Sequence, residues 1–369
     1  MKNIFPLIFP LIFLTIATVA VFYLSRRFSW FFSTPAKRYY WFFSVALVGF
    51  WTGLMYMMRS NATGFFSHLI ANVSSIGIGI LLMLLMSAIL VDLLLLAVKL
   101  KPIHHCYITL TITAITVLYS LWNAGNTIVI PQEFRLGKAT KETRIMQYSD
   151  VHLGHYWGKR RLRILVDLTK NEVVDAVVIT GDLFDGRARL NDETLAPLKE
   201  LNVPIYFVQG NHDGYTGANA VKSLLGRNGV IVLSNEKTDL GELQVIGLNY
   251  MTADSEQRDM MGAPLDGNTI KSVLEKMPID SNRPSILLHH NPTGVEYASK
   301  AGIDLYLAGH THAGQLIPIT WINKIMFKYN KGRYLYNGTN VYVSQGSGSF
   351  GPPMRLGTRS EITLITVKP

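Results

Sequence analysis

Hydrophobic residues are distributed differently in the two parts of this 369-residue chain. Up to residue 122 they form long, nearly unbroken runs, and a membrane-crossing helix needs about 20 such residues. Four runs reach or approach that length: Ile4–Leu24, Trp41–Met58, Ile76–Val98 and Cys106–Trp122. The first could instead be a signal peptide, but no convincing small-residue cleavage site follows it and three more runs come next. We therefore predict a four-helix transmembrane region over residues 1–122.

From residue 144 onward, short β-rich runs alternate with amphipathic segments. The predicted strands are Ile145–Tyr148, Ala176–Thr180, Ile205–Gln209, Val230–Leu233, Leu243–Gly247, Ile286–His289, Leu305–Ala308, Val341–Ser344 and Ile362–Val367. Helices are predicted near residues 160–172, 192–200, 218–226, 269–277 and 293–300. Because many of the strands are almost continuously apolar, both of their faces are expected to be covered. This pattern predicts an α/β layered sandwich over residues 144–369, joined to the apolar part by a connector at residues 123–143.

Charged residues are also distributed differently in the two parts of the chain. Residues 1–141 contain eleven Lys or Arg but only two acids, Asp92 and Glu133, whereas the rest of the chain is nearly balanced. The net charge of +10 is therefore a membrane signature, and it argues against a nucleic-acid-binding face on the soluble part. Asp92, the only acid within a predicted span, is either a functional group or is hydrogen-bonded among the helices. The single cysteine, Cys106, excludes an intrachain disulfide.

The distribution of basic residues between the loops predicts the orientation in the membrane. One side would hold the loop residues Arg26, Arg27, Lys37, Arg38, Lys99 and Lys101. The other side holds Lys2 and Arg59, with three more basic residues farther from the last span. This asymmetry places both termini, and the domain at residues 144–369, outside the cytoplasm.

Five short motifs, each just past a predicted strand, concentrate the polar chemistry of this domain. They are Asp150-Val-His152, Gly181-Asp182-Leu-Phe-Asp185, Gly210-Asn211-His212-Asp213, His289-His290-Asn291-Pro292 and Gly309-His310-Thr311-His312. Ligands usually bind where strands of open α/β sheets end. A mixture of carboxylate, carboxamide and imidazole groups suits manganese, iron or zinc better than calcium or magnesium. Because no thiolate takes part, a structural zinc-finger site is excluded.

In order and wording, these motifs resemble the calcineurin-like metallophosphoesterase superfamily, and in particular its YkuE-like branch. The segment Gly351-Pro-Pro-Met-Arg-Leu-Gly and the Glu361-Ile-Thr-Leu-Ile run that follows it are similar too. Multi-span members of that branch include LpxG-type UDP-2,3-diacylglucosamine hydrolases and the transmembrane proteins with a metallophosphoesterase domain. The resemblance implies a layered αββα sandwich that hydrolyses a phosphate ester or pyrophosphate bond with two divalent metal ions, manganese being favoured over iron or zinc.

The resemblance also implies roles for individual residues. One metal would take Asp150, His152, Asp182 and His312, and the second would take Asp182, Asn211, His290 and His310. His290 is preferred to His289 because family members place the ligand just before a short segment that ends in Pro. His212, held by Asp213, would assist the departing oxygen, and Asp185 would orient a ligand. His155 would line the mouth or lie on the surface, and Arg355 would contact a phosphate or form an internal salt bridge.

The substrate is less well defined. The segment 317–336 interleaves aromatic and basic residues, which is typical of a membrane interface, although its apolar side chains could also pack on the sheet. We expect a lipid-linked ester such as UDP-2,3-diacylglucosamine or a phospholipid. That nucleotide lipid is made at the cytoplasmic leaflet, which conflicts with the orientation predicted above. The alternatives are an anchored enzyme for soluble esters and a non-enzymatic membrane receptor with a structural metal site.

Overall fold

The computed structural model describes residues 5–59, 62–96, 98, 100–257 and 267–369. The chain divides into two compact units: the first contains the N-terminal helices up to Leu121, and the second runs from Trp122 to Pro369. The helices of the first unit are α1 (Phe5–Phe32), α2 (Ala36–Arg59), α3 (Phe65–Leu94) and α4 (Pro102–Gly125). Lys2, Ile4 and Lys99, which entered the predictions of spans and orientation, lie outside the described residues.

Among the described residues, two helices, α3 and α4, are long and apolar enough to cross a membrane. The predicted runs all fall in or close to the four helices, but the structure supports two spans by length and composition rather than four. Helix α2 begins at Ala36, directly before Lys37 and Arg38, and it ends at Arg59, so polar residues occupy both of its ends. A membrane region is therefore supported, and the number of spans stays a prediction.

Asp92 has partners within the helical unit. Its carboxylate accepts a hydrogen bond from the Tyr23 hydroxyl and pairs with the Arg27 guanidinium, both on α1. The Arg27 guanidinium also lies 4.5 Å from the centre of the Trp30 ring. Of the two expectations for Asp92, the structure shows the one in which the carboxylate is hydrogen-bonded among the helices.

In its described residues, the second unit contains two six-stranded sheets and six further α-helices. The strands are β1 (Thr127–Arg135), β2 (Thr143–Tyr148), β3 (Ala176–Thr180), β4 (Ile205–Val208), β5 (Ile231–Val232), β6 (Glu236–Leu240), β7 (Leu243–Gly247), β8 (Ser285–Leu288), β9 (Leu305–Ala308), β10 (Gly332–Tyr336), β11 (Thr339–Val343) and β12 (Ser360–Lys368). The helices are α5 (Lys159–Lys170), α6 (Asp192–Leu195), α7 (Asn211–Arg227), α8 (Ile270–Leu274), α9 (Val295–Lys300) and α10 (Ile319–Met326). Short 3-10 turns cover 187–189, 196–200 and 312–314.

The strand order is β1-β12-β2-β3-β4-β5 in the first sheet and β10-β11-β9-β8-β7-β6 in the second. Successive strand residues face opposite sides, so Val178 and Leu305 enter the core between the sheets, while Val177 and Tyr306 enter two outer cores. Helices α5 and α7 pack on the outer face of the first sheet, and α8 and α9 pack on that of the second. The α/β layered sandwich is confirmed, with the layers in the order αββα.

The predicted connector at 123–143 is wrong, because strand β1 lies within it. Strand β1 pairs in parallel with β12 along its whole length and forms an edge of the first sheet. Pro131 stands in its middle, and the run Gln132-Glu133 interrupts its apolar pattern. An edge strand tolerates both features, since one of its sides makes no ladder hydrogen bonds.

Candidate metal centre

Both sheets contribute to one polar site. Asp150 and His152 follow β2, Asp182 follows β3, and Asn211 follows β4, which are neighbouring parallel strands of the first sheet. In the second sheet, His290 follows β8, and His310 and His312 follow β9, which again pair in parallel. Because the carboxyl ends of parallel strands share one edge of a sheet, side chains far apart in sequence converge there.

The first cluster contains Asp150, His152 and His312, each offering one ligand atom within 4.8 Å of the others. The Nε2 atoms of His152 and His312 are 3.0 Å apart, and Nε2 of His312 is 3.4 Å from Oδ1 of Asp150. Two imidazole nitrogens and a carboxylate oxygen therefore face a common point. All three residues are buried.

The second cluster contains Asp182, His290 and His310. Nε2 of His290 lies 3.0 Å from Oδ2 of Asp182, while its Nδ1 lies 2.8 Å from the carbonyl oxygen of Thr180. Since a carbonyl oxygen only accepts, Nδ1 carries the proton and leaves Nε2 to face the site. Oδ2 of Asp182 is also 3.9 Å from Nε2 of His152, so the two clusters adjoin at this carboxylate.

Asn211 and His289 have different environments. Asn211, the first residue of α7, is buried, and its Oδ1 has no hydrogen-bond partner among the described residues. A buried amide oxygen without a partner costs free energy, and a cation would remove that cost. His289 turns its Nδ1 toward the Tyr306 hydroxyl (3.0 Å) and the carbonyl of Asn291 (2.7 Å), and it belongs to neither cluster.

The charges in the site are strongly interdependent. Burial raises the pKa of Asp150, whereas for Asp182 the same effect is outweighed by His290 and His212, which hold the pKa of that carboxyl well below its usual range. Burial alone would lower the pKa of His290, but the charges of Asp182 and Asp150 raise it to about 9. For His310 burial dominates and lowers the pKa to about 3. Carboxylate, imidazole and carboxamide donors that converge in this way fit divalent cations.

The partner of His212 differs from the prediction. Nδ1 of His212 lies 3.0 Å from Oδ1 of Asp185, and its backbone N–H donates to Oδ1 of Asp182 at 2.8 Å. The expectation that Asp213 holds His212 is therefore wrong, because the hydrogen-bond partner is Asp185. A carboxylate oxygen of Asp185 also lies within 4.8 Å of a ring nitrogen of His152, one of the predicted metal ligands. Burial would lower the pKa of His212, but Asp182 and Asp185 together raise it to about 9.

Asp213 stabilises the start of α7 instead. Its Oδ2 accepts from the backbone N–H of Gly210 at 2.9 Å, and its Oδ1 accepts from that of Phe184 at 3.0 Å. The first contact is the return half of a capping box, in which the third residue of a helix bonds to the residue that precedes it. Asp213 therefore lies beside the site without pointing into it.

Arg355 and His155 also fall outside the clusters. The Arg355 side chain is completely buried, and its Nη2 donates to the carbonyl oxygens of Gln345 (2.7 Å) and Gly348 (2.8 Å). The same nitrogen lies 3.2 Å from Nδ1 of His312. Of the two alternatives for Arg355, the phosphate contact is therefore wrong, since protein groups enclose the guanidinium. His155 is half-buried and is in none of the clusters among the described residues.

Comparison with known proteins agrees with this geometry. The profile of the calcineurin-like phosphoesterase family matches residues 143–314, which include all five motifs. An uncharacterized metallophosphoesterase of Aquifex aeolicus is 34% identical over 239 residues, which cover 63% of this chain and 88% of the relative. The chain belongs to the calcineurin-like metallophosphoesterase family.

Two other relatives of this metallophosphoesterase are longer. A transmembrane protein with metallophosphoesterase domain from Danio rerio is 33% identical over 285 residues, covering 74% of this chain and 64% of the relative. An uncharacterized metallophosphoesterase of Helicobacter pylori is 34% identical over 238 residues, covering 63% and 62%. The chain thus spans less than two thirds of the length of each of these two relatives.

Two aromatic residues of the metallophosphoesterase site lie outside the ligand motifs, and one glycine within a motif has a role that the sequence analysis did not assign. The Tyr250 ring centre lies 6.0 Å from that of His310, and the Phe350 ring centre lies 5.1 Å from that of His212. Gly309 has a close-approach role: a Cβ there would lie 1.8 Å from the Ser149 hydroxyl and 2.3 Å from Oδ2 of Asp150. The glycine that opens the last motif could have been identified from its position, whereas the two aromatic residues belong to no motif.

A cavity of about 630 Å³ opens beside His310. It is lined by Tyr250, Met251, Thr252, Gln257, Asn291, Pro292, Thr293, Gly294, Glu296, His310, Met326, Phe327, Lys328, Tyr329 and Tyr336. Its walls combine aromatic rings and apolar groups with hydroxyl and amide groups, as is typical of small-molecule sites. In this metallophosphoesterase an organic group could therefore be accommodated in the cavity next to the candidate metal centre.

Proposed function

We propose that this protein hydrolyses a phosphate ester or pyrophosphate bond at a centre of two divalent cations. The proposal rests on two adjoining clusters, buried except for a partly exposed His310, which together offer two carboxylates and four imidazoles. Asn211 adds a buried carboxamide oxygen that has no partner among the described residues. Loss of one ligand should therefore abolish turnover.

The proposed ligand sets share one carboxylate. The first cation would bind Asp150, His152, Asp182 and His312, and the second would bind Asp182, Asn211, His290 and His310. Manganese is the expected metal, and iron or zinc also suits these ligands. When bound, such a pair of cations lowers the pKa of a water and neutralises charge on the phosphoryl oxygens.

His212 is proposed to protonate the departing oxygen. Its side chain is 12% exposed, unlike the fully buried ring of His290, so a substrate can reach it. Asp185 fixes the ring through Nδ1 and favours the protonated form, which leaves Nε2 to donate. No side-chain nucleophile is required, because water supplies the attacking oxygen.

The substrate is proposed to be lipid-linked, such as UDP-2,3-diacylglucosamine or a phospholipid. Two helices able to cross a membrane in the same chain support this proposal, as does similarity to a relative named as a transmembrane protein. The basic residues of the loops favour an extracytoplasmic catalytic domain, which would select a phospholipid over the nucleotide lipid. A soluble ester handled by an anchored domain is the alternative.

A cleavage assay on the detergent-solubilised full chain tests the activity. With added manganese it would compare UDP-2,3-diacylglucosamine, a phospholipid and a chromogenic phosphodiester. We expect Asp182→Asn to lower kcat by at least about 1000-fold, since both proposed cations lose a shared ligand. The control is Asp239→Asn, which makes the same chemical change at an exposed carboxylate paired with Arg283. Turnover near wild type in Asp182→Asn would contradict the proposal.

A further inference from the structure

Helix α10 exposes a row of large apolar side chains. Trp321 is 59% exposed and Ile325 is 87% exposed, and Ile322 and Met326 are also open to solvent. The alternative in which the apolar residues of this segment pack on the sheet is therefore wrong for these four residues. Contiguous exposed apolar groups on a folded domain mark a surface that is covered by another molecule or by a membrane.

The charge around α10 indicates what covers it. Residues 317–336 carry four basic side chains, Lys324, Lys328, Lys331 and Arg333, and no acidic one. Lys324 within α10 and Lys328 just after it are both exposed. An apolar helix face accompanied by exposed lysines is the pattern of a segment that lies in the interface of an anionic bilayer. A protein partner of ordinary composition would not require this excess of positive charge.

The same chain also contains candidate membrane-spanning helices. Helices α3 and α4 are long and apolar enough to cross one, and only Asn126 separates the end of α4 from the start of strand β1. The domain that contains α10 therefore follows a candidate membrane span directly in the sequence.

The end of α10 leads to the candidate metal centre. Met326, Phe327 and Lys328 line the cavity of about 630 Å³ together with His310. The Phe327 ring centre is 5.7 Å from that of His310, which contributes to the second cluster. A molecule that leaves the headgroup layer along α10 would therefore enter the cavity next to the proposed cations.

We infer that α10 inserts its Trp321, Ile322 and Ile325 side chains into the headgroup layer of an anionic bilayer, and that lipid phosphoesters reach the metal centre through the adjacent cavity. The insertion is independent of catalysis, whereas the entry route rests on the proposed function. Two measurements separate these steps.

The first measurement locates residue 325 without any substrate. In a Cys106→Ser background, Ile325→Cys and Val173→Cys would each carry an environment-sensitive fluorophore, with the full chain in lipid nanodiscs of phosphatidylcholine and phosphatidylglycerol. Val173 is a matched control, because it is 75% exposed in the same domain and lies in the loop between α5 and β3. We expect nitroxide lipids to quench the probe at 325 and iodide to quench the probe at 173. Iodide quenching of both probes, or shielding at 325 without lipid quenching, would overturn the insertion.

The second measurement tests the route. Ile325→Asp should lower the ratio of the cleavage rate for a phospholipid in vesicles to that for a soluble chromogenic diester by about tenfold, since a charge replaces an apolar group in the interface. Val173→Asp should leave the ratio unchanged. An unchanged ratio in Ile325→Asp would overturn the route, whereas absence of cleavage of every ester by the wild type would overturn the proposed function and leave the quenching result valid.

Discussion

Five residues of the two clusters have a left-handed backbone, which is uncommon for residues other than glycine. The φ angles are 50° at Asp150, 51° at His152, 50° at Asp182, 72° at His310 and 47° at His312. Each such residue costs on the order of 1 kcal/mol, although Asp and His tolerate the region better than most. The backbone thus holds strained positions so that the side chains converge.

The motifs identified which residues gather at the site, but they did not identify the partner of each. Asp185 and Asp213 both stand within motifs, and Asp213 is adjacent to His212 in the sequence. Adjacent residues of a helix point in different directions, so Asp213 could turn back to Gly210 while Asp185 reached His212 from another strand end. The position of Asp213 three residues after Gly210 was the sequence signal for a cap.

Isosteric variants should separate these two carboxylates. Asp185→Asn is expected to lower kcat by about 10- to 100-fold with little change in the thermal midpoint, because His212 loses the group that orients it. Asp213→Asn is expected to lower stability by about 1 kcal/mol through loss of the cap, with kcat nearly unchanged. Steady-state kinetics and thermal unfolding of the full chain measure both effects, and the reverse pattern would restore Asp213 as the partner of His212.

At the scale of elements, the apolar pattern located the interior of both sheets and missed part of their edges. All nine predicted strands are confirmed, and the three missed ones, β1, β6 and β10, are edge strands. Strand β6 has the sequence Glu-Lys-Thr-Asp-Leu, which contains a single apolar residue. One side of an edge strand makes no hydrogen bonds to a neighbouring strand, and its side chains are partly exposed to solvent. Its sequence therefore needs fewer apolar residues than that of a central strand. Helix α10, which is only eight residues long, was also missed.

One buried arginine side chain holds the backbone of the segment between β11 and β12. The Arg355 side chain donates to three backbone carbonyls, those of Gln345, Gly346 and Gly348, and approaches His312. The Asn123 side chain then holds the carbonyl oxygens of Arg355 (3.0 Å) and Thr358 (2.8 Å). The segment that carries Phe350 over the site is thus fixed from its buried side.

Arg355→Lys is expected to destabilise the domain by about 3 kcal/mol, because a lysine cannot reach several carbonyls at once and charge-assisted hydrogen bonds are lost. The rate of ester cleavage should fall as well, since Nδ1 of His312 loses its contact with the Arg355 guanidinium. Thermal unfolding and the manganese concentration needed for half-maximal turnover report the two effects. Arg359→Lys, at an exposed position of the same segment, provides the control. Equal stability of the two variants would contradict this role of Arg355.

At the scale of the whole domain, the two sheets meet in the candidate metal centre. The first sheet supplies Asp150, His152, Asp182 and Asn211, and the second supplies His290, His310 and His312. Cations bound there would join the sheets through ligands that the unfolded chain does not hold in place. Metal binding should therefore stabilise the folded domain as well as activate it.

Manganese at 100 times its dissociation constant is expected to add about 2.7 kcal/mol of stability, by mass action on the folded state. The thermal midpoint of the full chain should rise with manganese and fall again with a chelator. Asp182→Asn should abolish most of this shift. A midpoint that does not respond to metal in the wild type would argue against cations that bridge the sheets.

Strand β12 occupies the second position of the first sheet, between β1 and β2, although it is made after nearly all the rest of the domain. When β1 and β2 have left the ribosome, β12, which lies between them in the sheet, has not yet been synthesised. The nascent domain must therefore keep that gap open, with apolar edges exposed, until translation reaches residues 360–368. Chaperones that shield unpaired strand edges are therefore expected to be needed at this stage of synthesis.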